Sequence, residues 1–442
     1  MKRLMTSILG VCLLLNAYAQ PGYSPSAENL RSREEFSSMR FGIFVHWGIY
    51  SMPARGEWAL HSLNFSHDEY SRLAAGFYPS KFDADQWVDI FRSSGARYVT
   101  ITSRHHDGFS MFGTKQSKYN IVDGSPFGRD VLKELSKACQ EKDFRLHFYY
   151  SHLDWGREDF WPQGRTGHNT GRKPGDASSW KHYQDFMDAQ LTELLTGYGP
   201  IGAIWFDGVW DFDAFPREKQ PEMWGLYHQY ELIHRLQPGC LVANNHHLVP
   251  FEGEDIQIFE RDVPGDNTAG YSGESGISSL PLETCQTMNG SWGYNIADKN
   301  YKSVDELITL LVRTAGKGAN LLLNVGPRPD GTIPEDAVER LAAMGRWMQT
   351  NGDTIYDTLG GCVPEQSWGV TTQRGNTLFA HVLSDDRVIF IPIEGKKLKS
   401  ATVHGTATKI AYTQTREGVI LTLPSGLEGP DRILDLVFKE VL

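Results

Sequence analysis

Gly202-Ala203-Ile204-Trp205-Phe206-Asp207-Gly208 is an apolar run that ends in an aromatic pair, a carboxylate and a glycine. Small and aliphatic residues bounded by turn signals read as a buried parallel strand. Where such a strand stops, its last side chains reach the loops that carry chemistry in a barrel or an open α/β sheet. Packing explains an acid there poorly, because aspartate is seldom buried without a partner. Asp207 is therefore the first candidate catalytic group, ahead of a purely structural hydrogen-bonding role.

Working outward, the same texture repeats. Phe41 to Trp47, Arg97 to Ser103 and Phe144 to Tyr150 read as three earlier strands, and Cys240 to Asn244 as the next one. Between them Asp83 to Ser94, Asp130 to Lys142, Trp180 to Tyr198 and Met223 to Leu236 carry helical periodicity. Such alternation marks βα units. Asp255 to Glu260 and Leu282 to Met288 read as strands six and seven, yet no convincing helix precedes either. Ser303 to Gly316 is helical, Ala319 to Val325 an eighth strand, and Glu335 to Thr350 a closing helix. The pattern predicts an α/β fold, an irregular (β/α)8 barrel over residues 20–357 with helices missing around strands five to seven.

Beyond Asp357 the runs shorten and alternate. Thr377 to Leu383, Val388 to Ile393, Ala401 to His404, Ile410 to Thr413, Val419 to Leu423 and Leu434 to Phe438 are separated by Gly, Asp and Pro. They predict a C-terminal antiparallel β-sandwich over 358–442 that braces the barrel. Gly164 to Ser179, rich in Gly, Ser, Thr and Arg, is expected to be a mobile loop.

At the other end Lys2 and Arg3 precede an apolar stretch, Ile8 to Leu15, followed by Ala17-Tyr18-Ala19. This is the pattern of a cleaved targeting segment over 1–19, and it is too short to span a membrane. The reading predicts export to a periplasm or beyond the cell. Loss of Lys2 and Arg3 takes the net charge from −11 to −13, and so acidic a chain is a poor partner for nucleic acid. Cys139, Cys240, Cys285 and Cys362 remain, widely spread and without zinc spacing, so buried free thiols are expected ahead of a disulfide.

Polar residues gather at the strand ends: His46-Trp47-Gly48 with Glu57-Trp58 in the following loop, His105-His106-Asp107, Tyr149-Tyr150-Ser151-His152, Trp205-Phe206-Asp207, Asn244-Asn245-His246-His247 and Glu260. Any one His or Trp packs a core as often as it serves a ligand. Six strand ends in succession are harder to explain that way. Imidazoles and carboxylates that converge with indoles suit a neutral, hydroxyl-rich ligand. A metal site at His105, His106 and Asp107 is disfavoured, because neighbours on a strand face opposite ways. Two carboxylates on different strands, Asp207 and Glu260, are the minimum apparatus for glycoside hydrolysis, with Glu283 the rival acid. Their environments are expected to hold one ionised and the other protonated.

The segments Phe41 to Gly48, Gly56-Glu57-Trp58, His105 to Phe109, Tyr149-Tyr150-Ser151, Trp205 to Gly208 and Asn320 to Pro327 resemble the α-L-fucosidases of glycoside hydrolase family 29, in order and over about Phe36 to Tyr356. The resemblance implies a retaining exo-hydrolase that acts on fucosylated glycans without a cofactor or a metal. It makes Asp207 the nucleophile and places His46, Glu57, Trp58, His105, His106, Tyr150 and Trp205 around the fucose ring, with Tyr149 the alternative tyrosine. It favours Glu260 over Glu283 as acid/base. One departure concerns the stretch Asn245-His246-His247, where some relatives carry an arginine. A catalytically silent fucose-binding protein on the same barrel is the alternative.

Overall fold

The structure, a computed structural model, describes residues 22–161, 164–173, 175–211, 216, 219–271 and 276–442. The expected targeting segment, 1–19, lies outside the described residues.

Eight parallel strands form the first unit: β1 Phe41–Val45, β2 Tyr98–Arg104, β3 Arg145–Ser151, β4 Ala203–Asp207, β5 Leu241–Asn245, β6 Gln257–Glu260, β7 Leu282–Thr287 and β8 Ala319–Val325. They run in the order β5-β4-β3-β2-β1-β8-β7-β6. A single bridge, Ala243 to Ile256, closes β5 onto β6. Asp255 stitches that seam. Its amide donates to Val242 O at 2.7 Å, its Oδ2 accepts from Val242 N at 2.7 Å, and Arg33 Nη2 lies 2.6 Å from its Oδ1. The carboxylate is fully buried, so these charge-assisted bonds are what make its burial tolerable.

Helices cover the barrel where the sequence carries a 3.6-residue period. Ala84–Ser93, Val131–Glu141 and Val304–Gly316 begin at Asp83, Asp130 and Ser303, whose side chains accept from backbone amides of the first turn. Among the described residues no helix separates β5 from β6 or β6 from β7. The segment expected as one helix over Met223 to Leu236 is two, Gln220–Trp224 and Leu226–Leu236, broken at Gly225. The expected mobile loop, Gly164 to Ser179, ends instead in the capped start of the helix Ala177–Gly197, and its Trp155-facing Thr166 accepts from the indole at 2.9 Å.

Strand alternation sorts the apolar side chains into two sets. Outward residues such as Ile43, Ile101, Phe148, Tyr150, Ile204 and Phe206 pack under the helices. Inward residues, among them Phe44, Tyr98, Tyr149, Trp205, Ala243, Ile258 and Cys285, fill the barrel, which Phe36 plugs from below. Gly42 leaves room for this filling. A Cβ there would sit 2.3 Å from the Tyr98 ring.

The second unit has a five-stranded and a three-stranded antiparallel sheet. Its strands are β9 Leu359–Gly360, β10 Gly369–Arg374, β11 Thr377–Val382, β12 Val388–Pro392, β13 Leu398–Val403, β14 Ala411–Gln414, β15 Gly418–Thr422 and β16 Arg432–Phe438. They are ordered β13-β16-β11-β10-β9 and β12-β15-β14. Six correspond to the alternating runs; β9 and β10, which face the helix Val304–Gly316, do not. Cys139, Cys240 and Cys285 are buried free thiols and Cys362 is exposed and free.

Candidate active site

The C-terminal ends of the barrel strands open on one cavity of about 1190 Å³. Eight of the nine residues expected there line it: His46, Glu57, Trp58, His105, His106, Trp205, Asp207 and Glu260. Tyr150 does not, and is a correction. In the β3–β4 register Tyr149 stands beside Trp205 and Tyr150 beside Phe206. Tyr149 and Trp205 therefore face inward together, while Tyr150 faces the helices and donates to Gln190 Oε1 at 2.8 Å. Tyr149 is the tyrosine of the cavity.

Asp207 is held from several sides. Its Oδ2 accepts from Tyr149 Oη at 2.8 Å, and its Oδ1 from Trp210 Nε1 at 2.6 Å, Gly208 N at 2.8 Å and Asn245 Nδ2 at 3.4 Å. Gly208 adopts φ of 104°, and a Cβ there would meet Leu153 Cγ at 2.7 Å, so only glycine makes this turn without strain. Trp210 is a site residue that the sequence reading missed. Its signal was its place three residues past the carboxylate; the structure puts it at the middle of the 3-10 turn Val209–Asp211.

Glu260 Oε2 accepts from Asn245 Nδ2 at 2.8 Å and from His247 Nε2 at 3.0 Å. Asn245 thus bridges the acids: at 3.4 Å from Asp207 Oδ1 and 2.8 Å from Glu260 Oε2, it keeps those oxygens within about 6 Å of each other. That bound is near the ~5–5.5 Å of retaining glycosidases and below the ~6.5–9.5 Å of inverting ones. Glu283 lies elsewhere. It is buried low in the barrel, accepts from Tyr98 Oη at 2.6 Å and Trp205 Nε1 at 2.8 Å, and does not line the cavity. Burial pushes its carboxyl up to about 7.

The two acids differ in environment, with a sign opposite to the one the roles suggest. Burial, then the nearby Glu260 carboxylate, raises Asp207 to about 6. Burial also works against ionised Glu260, but the bond and charge of His247, with Asn245 and Arg261, outweigh it and hold that group below its ordinary value.

His46 and His106 are neutral acceptors. Burial lowers His46 to about 4 and His106 to about 3. His46 Nδ1 donates to Asn324 Oδ1 at 2.7 Å, which leaves Nε2 with a free lone pair. His106 Nδ1 lies 2.7 Å from Ser151 Oγ, whose own proton goes to Leu153 O at 2.8 Å, so its Nε2 is likewise an acceptor, 3.6 Å from Asp207 Oδ2. Strand alternation would turn only one of His105 and His106 inward. The structure differs because β2 ends at Arg104 and the chain turns at once, Gly108 N donating to His105 O at 3.0 Å. Both rings then reach the cavity, and Asp107 turns away to accept from Tyr70 Oη at 2.8 Å. Among the described residues no group of three or more His, Cys, Asp and Glu side chains is set to hold a metal ion. Glu57 Oε2 accepts from Gly293 N at 2.8 Å, and burial raises its carboxyl. Trp58 stacks on Trp210 with centroids 5.8 Å apart and planes within 8°. Acceptors for hydroxyls, apolar ring faces and two close carboxylates together suit one sugar ring at its anomeric carbon.

The sequence profile described as Alpha-L-fucosidase matches residues 11–353. The alpha-L-fucosidase of Branchiostoma floridae is 31% identical over 78% of this chain and 77% of its own, and the tissue alpha-L-fucosidase of Rattus norvegicus is 30% identical over 94% and 93%. Alpha-L-fucosidase isoenzyme 1 from Paenibacillus thiaminolyticus superposes with a TM-score of 0.81 at 28% identity, over 93% of this chain and 100% of that one. With its sequence and its barrel fold both matching these relatives, the chain belongs to the α-L-fucosidase family, glycoside hydrolase family 29.

Proposed function

We propose that the chain is a retaining exo-α-L-fucosidase that removes terminal α-L-fucose from fucosylated oligosaccharides or glycoconjugates by double displacement. The observation that carries this reading is the placement of Asp207 and Glu260, from β4 and β6, on a shared Asn245 at one cavity.

In the first step an Asp207 oxygen bonds the anomeric carbon as the glycosidic C–O bond breaks, and Glu260 gives its proton to the leaving oxygen. This needs Asp207 ionised and Glu260 protonated, against the direction in which their surroundings push the two groups in the free site. A glycosidic oxygen that accepts a hydrogen bond at Glu260 favours the protonated form of that group, and so the productive arrangement. Once Asp207 is an ester its charge is gone. Glu260 then ionises more readily and acts as base, taking a proton from the water that attacks the same carbon. Tyr149 and Trp210 hold the aspartate, while neutral His46 and His106 accept sugar hydroxyls.

The experiment is hydrolysis of an aryl α-L-fucoside followed by proton NMR. The reading requires turnover with α-L-fucose as the first anomer formed. Binding of fucose without turnover would instead mark the silent binding protein, and β-L-fucose first would mark inversion. Export, read from residues 1–19, belongs to the same proposal: activity in the periplasm or medium of a producing cell supports it, and activity confined to the cytoplasm opposes it.

A further inference from the structure

His246 and His247 are neighbours with different employment. Both ring nitrogens of His246 are used inside the protein, Nε2 against Glu254 Oε1 at 3.0 Å and Nδ1 accepting from Leu248 N at 3.0 Å. His247 instead lines the cavity, with Nε2 3.0 Å from Glu260 Oε2 and its ring stacked on Tyr271 at 5.1 Å and 20°. The backbone adopts an uncommon conformation to put it there, since His247 has φ of 62°, in the left-handed region that a residue with a Cβ occupies at a cost. Arg261, directly after Glu260, shares that φ of 62° and lines the same wall. Among the described residues no hydrogen bond engages Glu260 Oε1.

Resting on the fucosidase reading, we propose that His247 is a positioning residue for the acid/base: its Nε2–H holds Oε2 of Glu260, so that Oε1 is the oxygen that exchanges the proton, and it keeps the group ionised for the hydrolysis of the fucosyl-enzyme. In that step the water oxygen bonds C1, the C1–O bond to Asp207 breaks, and the water proton passes to Oε1. The donor on Oε2 stabilises the carboxylate before the transfer, the ordinary effect of a hydrogen bond to a charged acceptor. Other groups also face Glu260: Asp207 (uncharged as the ester), Arg261, Glu57, His46, Cys285 and Asn245. They are unchanged in a His247 variant, so a difference between variant and wild type reads the histidine alone.

The test is the pH dependence of kcat on an activated aryl α-L-fucoside, for which hydrolysis of the intermediate limits the rate. There the acidic limb reports Glu260 ionising in the fucosyl-enzyme. His247→Ala is expected to move that limb up by about one pH unit, and His247→Gln, a donor of similar reach, to bring it back toward the wild-type position. His247→Leu keeps a side chain under Tyr271 and reads the same shift if His247→Ala does not fold. A limb that stays in place in these variants, or a kcat lowered by one factor at every pH and not restored by His247→Gln, overturns the role. Wild-type turnover in the same assay checks the underlying reading by itself, and its absence overturns both.

Discussion

Tyr149 and Tyr150 show at the scale of one residue what decides a role in this barrel. They are adjacent and chemically identical, yet one touches the Asp207 carboxylate and the other a glutamine under the helices. Tyr149→Phe removes a hydrogen bond to a charged group, worth about 1.5–3 kcal/mol. We expect kcat/KM to fall about 10–150-fold and the ionisation of Asp207 to move to higher pH. Tyr150→Phe should leave kcat/KM within about twofold while costing about 1–3 kcal/mol of stability, because Gln190 Oε1 loses its buried donor; kinetics and urea unfolding of both variants check this. Glu260 and Glu283 separate in the same way. Glu260→Ala should slow poorly activated fucosides far more than aryl ones and be rescued by azide with formation of fucosyl azide, whereas Glu283→Gln should unsettle Trp205 and show no rescue. The residue types of the site were legible at the strand ends, including Asp207, Glu260 and His46. Which tyrosine faced inward was not, since β3 is buried on both faces after Arg145 and its composition carries no alternation to reveal the side. Knowing that Asp207 points inward would have placed Trp205 two residues earlier and, through the register, Tyr149.

Elements set these side chains in place through contacts that only small residues allow. In β1, Gly42 admits the Tyr98 ring, which donates to Glu283, which in turn accepts from the Trp205 indole. Gly42→Ala forces that ring aside. Overpacking of this kind costs about 1–3 kcal/mol, and the displaced chain should also lower kcat/KM through Trp205; denaturant unfolding alongside kinetics measures both, and a variant with wild-type stability would show that the barrel floor yields freely. Helices announced themselves by period and caps, as Asp83, Asp130 and Ser303 illustrate. The absence, among the described residues, of helices around β6 was also legible, because Asn245 to Asp255 and Arg261 to Pro281 lack the period. β10 was not. Its Thr371, Thr372 and Gln373 are polar yet buried, a pattern that reads as loop until their partners are known. Thr372 Oγ1 donates to Thr354 O at 2.6 Å, and Gln373 Oε1 accepts from Cys362 N at 2.9 Å.

The whole molecule joins barrel and sandwich along β9, β10 and the helix Val304–Gly316, where Arg313 and Lys317 both pair with Glu365. His404 adds a titrating tie. Its Nδ1 lies 2.8 Å from Asp435 Oδ1 in β16 and its Nε2 3.2 Å from Asp353 Oδ1, just past the last barrel helix. The bond to Asp435 raises its pKa from 6.5. A histidine raised on folding contributes fully below its unfolded value and loses that contribution as pH rises through the folded one. The stability gap between wild type and His404→Gln should therefore be largest below pH ~6.5, about 1 kcal/mol at most once screening at exposed Asp353 is allowed for, and shrink as pH rises above that value. Thermal unfolding across that range checks it. At this scale the sequence disclosed a barrel and a sandwich in order, but not the ties between them, which are made by single charged residues with no periodic signature. The same barrel is what brings one acid from β4 and another from β6 to a common mouth, and the most direct test of that arrangement is peptide mapping of the protein after reaction with a slow 2-deoxy-2-fluoro-fucosyl donor. The account predicts one fucosyl group per chain, in ester linkage to Asp207; a label on Glu260, or turnover of fucosides with no label on any carboxylate, would contradict it.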